Sequence, residues 1–369
     1  MQFNQDIFAH VFSFLDRSDA IMLSSASRVL RKMAVLFLLQ DPVDLRHNGD
    51  ISSFSAFMEV DKEVRFCMLK HLKLELLLNL PSALLISLFR NAKSLESIEL
   101  SCGPLSDRSS RSSFIRSLEF LNHPSLKKLV LSCSQLYFYP KVISAIPAPL
   151  TELHIIHREY RNRDQPLHPI PLLAPHRDTI EVVNIEGHTF DPPPILPFRP
   201  VQLQYFSVRR LVFEWSTPCE WVTESLIYLF PNLRELECGY GLIEKDKVPL
   251  AERRTRSLAS QASQRWETLD ILAGSAEVLC NLALQTSVEN LTMVVPFYTK
   301  FLEVPMVLST LKINNLYFHV QVSLDKAYGR QTDNIREALQ QTSHYLVFLS
   351  FEFIFWPNLD MEIVHVSII

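Results

Sequence analysis

The stretch "PSALLISLFRNAKSLESIEL", residues 81–100, changes its hydrophobic period within one short segment. Its first half carries apolar residues at helical spacing, a short polar turn follows, and its end alternates apolar with polar residues as a half-buried strand does. The same order recurs in residues 112–131, 219–238, 273–294 and 333–353. The sequence therefore predicts an α/β chain in which helices and strands alternate.

The strand ends of these segments share one template, which reads apolar-x-x-apolar-x-apolar. With 47% hydrophobic residues in the chain, the template also fits by chance, so the preceding helices carry the argument. We place its eleven starts at Leu69, Leu95, Leu126, Leu150, Ile180, Leu203, Leu233, Trp266, Val288, Leu308 and Leu346. Their mean spacing of about 28 residues suits a leucine-rich repeat of strand plus helix.

Composition excludes several functional classes. A formal net charge of -4 disfavours a polyanion as the main partner, because nucleic-acid affinity depends largely on phosphate neutralisation. Glycine occurs only seven times, and no phosphate-binding loop or recognised catalytic motif appears. We therefore expect a protein that is not an enzyme and that uses no cofactor and no metal.

The cysteines and the apolar runs indicate the compartment. The six cysteines include no CxxC pair and no close His at zinc-ligand spacing, so we expect reduced core thiols. The start lacks the basic region of a signal peptide, and uncharged runs of about 14 residues are shorter than the ~20 that a spanning helix needs. A cytoplasmic or nuclear location is expected.

The first ~45 residues predict three short helices with an unusually broad apolar surface. Three short helices cannot hide all of these side chains among themselves, so we expect part of them to be exposed for a partner. The alternative is that they dock onto the first repeat as an amino-terminal cap. The side chains in question are Phe3, Ile7, Val11, Phe12, Phe14, Leu15 and Met22.

Residues 3–34, "FNQDIFAHVFSFLDRSDAIMLSSASRVLRKMA", resemble an F-box. The matching features are an acidic-aliphatic step at Asp6-Ile7, the Val-Phe-Ser-x-Leu step at 11–15, an Asp-rich turn at 16–19 and a Ser-Arg-x-Leu-Arg ending at 27–31. Phe3-Asn4 stands where the family has Leu-Pro. The later segments resemble the irregular leucine-rich repeats found behind many F-boxes, especially in fungal proteins.

This resemblance implies an F-box-like helical domain at residues 1–45 and an irregular leucine-rich-repeat solenoid, a horseshoe, at 46–369. It also implies a substrate-recognition subunit of an SCF-type (Skp-cullin-F-box) ubiquitin ligase. In that family the F-box docks on a Skp-type adaptor, which bridges to a cullin-RING ligase, and the repeats hold a protein substrate. A repeat scaffold without ubiquitin-ligase coupling is the alternative.

Two sets of site residues follow from these expectations. The adaptor-binding set is Phe3, Ile7, Val11, Phe12, Leu15, Met22 and Leu23. The substrate-binding set takes the position between the last two apolar residues of the strand template, which faces the concave side in such repeats. Its members are Glu99, His154, Asn184, Glu237, Asp270 and Lys312.

Overall fold

A computed structural model describes most of the chain, and it confirms the α/β class. The described residues are 5–15, 17–40, 42–76, 82–102, 108–133, 138–156, 172–186, 204–214, 223–239, 250–262, 264–295, 303–323, 340, 348–356 and 362–368. They divide into two compact units, Met1–Arg158 and Glu159–Ile369.

The first unit opens with three helices, as the periodicity predicts. They are α1 (Gln5–Phe12), α2 (Arg17–Ala26) and α3 (Arg28–Gln40). Ser27 separates the last two, because its Oγ accepts a hydrogen bond from the Leu30 amide at 3.1 Å and so caps the start of α3. The apolar core of these helices is centred on Phe12, Ala20 and Ala34.

The rest of the first unit alternates strands with helices. All its neighbouring strands pair in parallel and in chain order, so the sheet grows by one strand per repeat. The strands are β1 (Val43–Leu45), β2 (His71–Leu76), β3 (Ser97–Cys102), β4 (Lys128–Cys133) and β5 (Glu152–Ile156). The helices are α4 (Asn48–Glu59), α5 (Lys62–Met68), α6 (Ser82–Asn91), α7 (Arg108–Leu118) and α8 (Phe138–Ala145).

The second unit continues the same plan. Its strands also pair in chain order, in parallel up to an antiparallel last pair. They are β6 (Val182–Glu186), β7 (Arg210–Glu214), β8 (Glu235–Cys238), β9 (Thr268–Ser275), β10 (Ser287–Val295), β11 (Lys312–Ser323), β12 (Phe348–Trp356) and β13 (Glu362–Ile368). A 3₁₀ turn (Ala174–His176) precedes them, and the helices are α9 (Thr223–Leu229), α10 (Leu250–Ser260), α11 (Ala276–Leu282) and α12 (Glu303–Leu308).

On the buried side of each unit's sheet, the middle apolar residue of the template lies opposite the middle apolar residue of the neighbouring strand. In the first unit Leu72 is opposite Ile98, Ile98 opposite Leu129, and Leu129 opposite Leu153. The corresponding residues of the second unit are Val183, Leu211, Leu236, Leu272, Leu291 and Leu316. Stacked repeats therefore share one continuous buried row within each unit, which makes each unit solenoid-like.

Three repeats have a register that differs from the predicted one. Their buried triplets begin at Val208, Leu269 and Ile313, whereas we placed the starts at Leu203, Trp266 and Leu308. Apolar residues just before each strand satisfy the same spacing, so the template alone selects the wrong set there. The pairing between neighbouring strands decides the register.

The sheet of the first unit also begins earlier than predicted. Val43–Leu45 forms β1 and pairs with β2, although residues 1–45 were assigned to a purely helical domain. Pro42 ends the helical pattern as expected, but the three residues after it are extended. The central region also carries proline-rich passages at residues 140–149, 166–175 and 192–200. The first is described, whereas most of the second and all of the third lie outside the described residues.

The cysteines agree in part with the expectation of reduced core thiols. Cys133, Cys238 and Cys280 are buried with free thiols, whereas Cys67 is free and exposed. Cys67 differs because α5 buries Arg65 and Phe66 and leaves its other side in solvent. Within the described parts of the chain, no helix is both long and apolar enough to cross a bilayer.

Candidate protein-interaction surfaces

The first two helices leave large apolar side chains in solvent. Ile7 and Val11 lie one turn apart on α1, and Phe14 follows in the turn that closes this helix. Phe14 is 76% exposed and Met22 on α2 is 63% exposed, values that are unusual for side chains of this size. The helical apolar surface, as we name it, consists of Ile7, Val11, Phe14, Ile21 and Met22.

The structure describes six of the seven predicted adaptor-binding residues and divides them into three groups by exposure. Ile7, Val11 and Met22 are exposed, and Phe12 is buried. Leu15 and Leu23 are partly buried against the helical core, and Phe3 lies outside the described residues.

Phe12 is the residue whose predicted role conflicts with its position. It is 2% exposed, and its ring centroid lies 5.9 Å from that of Phe37 on α3. Consecutive helical residues point about 100° apart, so Val11 faces solvent while Phe12 faces the bundle. Ile21, which the sequence analysis omitted, is exposed in the same turn of α2 as Met22.

On the side of the sheet opposite the buried template, one residue from each strand lies beside the corresponding residue of the next strand, and together they form a row. We name this the central row. In the first unit it runs through Lys73, Glu99, Val130 and His154. In the second unit it runs through Asn184, Val212, Glu237, Ala273, Thr292, Tyr317 and Ser350.

Four of the predicted substrate-binding residues lie on the central row, and two do not. Glu99, His154, Asn184 and Glu237 occupy it. In β9 and β11 the row is occupied by Ala273 and Tyr317. This correction of Asp270 and Lys312 follows from the register shift described above. Both are exposed nearer the amino ends of their strands.

The charges on the central row are largely neutralised by their neighbours. Nζ of Lys73 lies 2.5 Å from Oε1 of Glu99, and Nη2 of Arg210 lies 2.7 Å from Oε1 of Glu237. The later strands carry uncharged groups on the row, and the ring of Tyr317 packs 5.4 Å from that of Phe348. The strand face therefore offers paired ions at some repeats and an aromatic pair at others.

Asparagine side chains link three strands beside this row. Nδ2 of Asn290 donates to the carbonyl of Asp270 at 3.1 Å, and Nδ2 of Asn315 donates to Oδ1 of Asn290 at 3.0 Å. Asn314 donates to Oε2 of Glu289 at 2.5 Å. These bonds hold β9, β10 and β11 in register at their exposed sides and so stiffen this part of the face.

The described residues offer little for catalysis. Oγ of Ser97 lies 2.8 Å from Nδ1 of His71, but no carboxylate in the described residues hydrogen-bonds this histidine. A serine nucleophile needs a base that a third group orients, so the pair lacks a part of that machinery. No three His, Cys, Asp or Glu side chains of the described residues gather in a way that could hold a metal ion.

Comparison with known proteins adds no identification. No family model matches the chain, and no curated protein matches it significantly.

Proposed function

We propose that this chain is the substrate-recognition subunit of an SCF-type ubiquitin ligase. In this proposal residues 1–45 form an F-box-like segment that docks on a Skp-type adaptor. The leucine-rich-repeat-like remainder binds a protein substrate on its strand face. The chain itself makes and breaks no bond.

The observation that carries the proposal is the helical apolar surface. Its five members are exposed, although Phe12, Leu15 and Leu23 of the same helices pack into the core. Exposed apolar side chains gathered on two short helices typically mark a protein-binding site. If a partner buries on the order of several hundred Å² of this apolar surface, the gain at about 25 cal/mol per Å² is enough for micromolar or tighter binding. This gain is counted before the entropic cost of ordering the two partners is subtracted.

The same observation disfavours the alternative that these helices only cap the first repeat. A capping role buries the apolar side chains of the helices against the unit that they cover. Phe14, Met22 and Ile7 are instead more than half exposed in the first unit. These side chains are available to a second polypeptide.

The mechanism of this proposal is proximity. A substrate held on the strand face and an adaptor held on the helices become parts of one assembly. A substrate lysine then meets the ubiquitin thioester at high effective concentration, which raises the rate without any catalytic group on this chain.

The decisive experiment measures the binding of a purified Skp-type adaptor to the purified full chain. Val11→Asp places a charge in the interface that is desolvated on binding, and we expect it to weaken binding at least ~100-fold. Val11 is exposed, so the variant should fold normally. Phe206→Asp is the matched control, because it puts the same charge on a similarly exposed apolar residue of the second unit.

A second candidate function is a repeat scaffold without ubiquitin-ligase coupling. The observation that favours it is Phe3-Asn4 in the place where an F-box has Leu-Pro. A folded wild type that shows no adaptor binding supports the scaffold and overturns the ligase proposal. Equal binding by the wild type and by Val11→Asp removes the helical apolar surface as the docking site.

The strand face is tested separately. Tyr317→Glu changes the aromatic part of the central row, whereas Lys312→Glu changes an exposed residue of the same strand outside that row. We expect the first variant to lose proteins that the wild type retains in cell extract and the second to keep them. Quantitative mass spectrometry of the retained proteins measures the difference.

A further inference from the structure

Helix α3 carries a strongly basic exposed face. Its sequence, RVLRKMAVLFLLQ, has three cations and no acid. Arg28, Arg31 and Lys32 are all exposed. Val29 and Leu36 are exposed too. Val29, Lys32 and Leu36 are spaced at i, i+3 and i+7, so these three side chains lie on one side of the helix.

None of the three cations has an ion pair among the described residues. Within the described parts of the chain, their side chains make one hydrogen bond, from Nε of Arg31 to the carbonyl of Ser24 at 3.4 Å. Elsewhere in this unit, some exposed cations are paired, as in Lys70–Glu96 at 2.6 Å and Arg46–Asp44 at 2.8 Å. Others, at scattered positions, form no ion pair among the described residues; these include Lys93, Arg116 and Lys127. The three α3 cations differ from these because they lie within five consecutive residues, which concentrates positive charge at the start of this helix.

A further cation adds to the positive potential of this region. Arg65 on α5, which packs against α3, is buried with its guanidinium 4.2 Å above the ring of Phe57. Burial lowers the pKa of Arg65; the carboxylate of Asp61 acts in the opposite direction, and the charge of Arg31 adds to the lowering. The exposed acids of this helix and the turn before it, Asp61 and Glu63, form no ion pair with the α3 cations.

We propose that this basic face of α3 binds an acidic surface of the protein partner that docks on the helical apolar surface. Carboxylates of the partner pair with Arg28, Arg31 and Lys32 around an aliphatic contact to Val29 and Leu36. The inference rests on the proposed function, because the partner is the same adaptor. It adds that the adaptor uses α3 and that charge steers its association.

A protein surface fits this face better than an anionic membrane. The later turns of α3 are buried in the bundle through Ala34, Val35 and Leu39, so the helix is not free to lie in a bilayer. Its exposed side has two aliphatic residues and no aromatic one, whereas interfacial helices use Trp, Phe and Leu for insertion.

The experiment compares the full-length wild type with the triple variant Arg28→Glu, Arg31→Glu, Lys32→Glu. Association with a purified Skp-type adaptor is followed by biolayer interferometry at about 50 and about 500 mM NaCl. We expect the wild-type association rate to fall roughly tenfold or more at high salt, and the variant to associate at least ~10-fold more slowly at low salt with little salt dependence. If the charge reversal unfolds α3, a milder variant removes the same charges without reversing them. This variant is Arg28→Gln, Arg31→Gln, Lys32→Gln.

The matched control reverses three exposed cations elsewhere in the first unit, with Lys93→Glu, Arg116→Glu and Lys127→Glu. It changes the net charge equally, so its association rate should stay near that of the wild type. Circular dichroism and thermal melting establish that every variant is folded.

The outcomes separate the two proposals. Wild-type binding that is insensitive to salt and to the triple reversal overturns the role of α3 and leaves the docking proposal intact. Equal slowing by the control triple also overturns it, because net charge then explains the effect. A folded wild type that does not bind the adaptor overturns both proposals. If the triple reversal abolishes binding to vesicles containing phosphatidylserine but leaves adaptor binding unchanged, the basic face of α3 binds a membrane instead.

Discussion

The guanidinium of Arg210 on β7 pairs with Glu237 on β8 across 2.7 Å, between residues 27 positions apart in the chain. The same guanidinium lies 3.4 Å from Oε2 of Glu235. One cation thus faces two carboxylates of the neighbouring strand. The pairing neutralises a charge that the sequence analysis assigned to substrate binding.

We expect this pair to contribute little to stability. Both side chains are about a third to a half exposed, and exposed pairs are worth roughly 0.2–1 kcal/mol. A double-mutant cycle with Arg210→Met and Glu237→Gln, measured by urea unfolding, should give a coupling energy below about 1 kcal/mol. A coupling above about 2 kcal/mol contradicts a surface pair and indicates a desolvated one.

The contrast between Phe12 and Ile7 tests which side of α1 is the core. Phe12→Ala removes a side chain buried against Ala20 and Ala34 and should lower the free energy of unfolding by about 3–5 kcal/mol. Ile7→Ala changes an exposed side chain and should cost less than about 0.5 kcal/mol. Chemical denaturation of the two variants measures both values, and similar costs would place Ile7 in the core.

Gly274 on β9 is a place where the chain cannot accept a side chain. A Cβ there would lie 2.9 Å from the carbonyl oxygen of Cys238 and 3.3 Å from Cδ2 of Leu279. We expect Gly274→Ala to destabilise the protein by about 1–3 kcal/mol, because the backbone of β8 has no room to move.

Gly49 supplies the opposite control. It lies in the first turn of α4, and a Cβ there meets nothing within 4 Å. Gly49→Ala should stabilise the protein by roughly 0.5–1 kcal/mol, since alanine has the higher helix propensity. Thermal unfolding should shift in opposite directions for the two variants; a shared direction contradicts the close approach at Gly274.

Arg254 links three helices of the second unit. From α10 it donates to the carbonyl of Cys280 on α11 at 3.2 Å and to the carbonyl of Met306 on α12 at 2.5 Å. Arg254→Met leaves these carbonyls without a charged donor and should cost about 2–4 kcal/mol. Arg256→Met on the same helix removes an exposed pair with Glu252 and should cost under about 0.5 kcal/mol. Urea unfolding distinguishes them, and equal costs would exclude the linking role.

The cysteines should differ in reactivity. Burial raises the pKa of the Cys238 thiol well above its ordinary range and that of Cys280 to about 11, whereas Cys67 is exposed. Because the thiolate is the nucleophile, iodoacetamide at neutral pH should label Cys67 before Cys133, Cys238 and Cys280 in the native protein. Peptide mass spectrometry at increasing times measures the order. Early labelling of Cys280 would show that α11 opens readily.

The repeats show which structural features a hydrophobic pattern predicts and which it does not. The alternation of helix and strand in residues 81–100 is reproduced by α6 and β3, and the buried triplet of Leu95, Ile98 and Leu100 is the one that the template selects. At β7, β9 and β11 the same template fits two overlapping sets of residues. Only the pairing with neighbouring strands chooses between them, since a shift moves every side chain of a strand.

The helical segment shows the same limit. Helical spacing predicts α1, α2 and α3, but it does not say which of two broad apolar sides is buried. Phe12 meets Phe37, a residue of another helix, and this contact turns Val11 outward. The short strand β1 carries three residues and no template, so it becomes visible through its pairing with β2.

The amino-acid sequence by itself determined the α/β class, the order of helices and strands, and an amino-terminal segment too apolar for its size. These properties depend on local periodicity and composition, which neighbouring residues carry. The tertiary structure decided which apolar residues are exposed, which residues form the central row, and that the α3 cations form no ion pair with any other described residue. Those properties depend on contacts between residues far apart in the chain, and the energy of such contacts cannot be inferred from any single stretch of sequence.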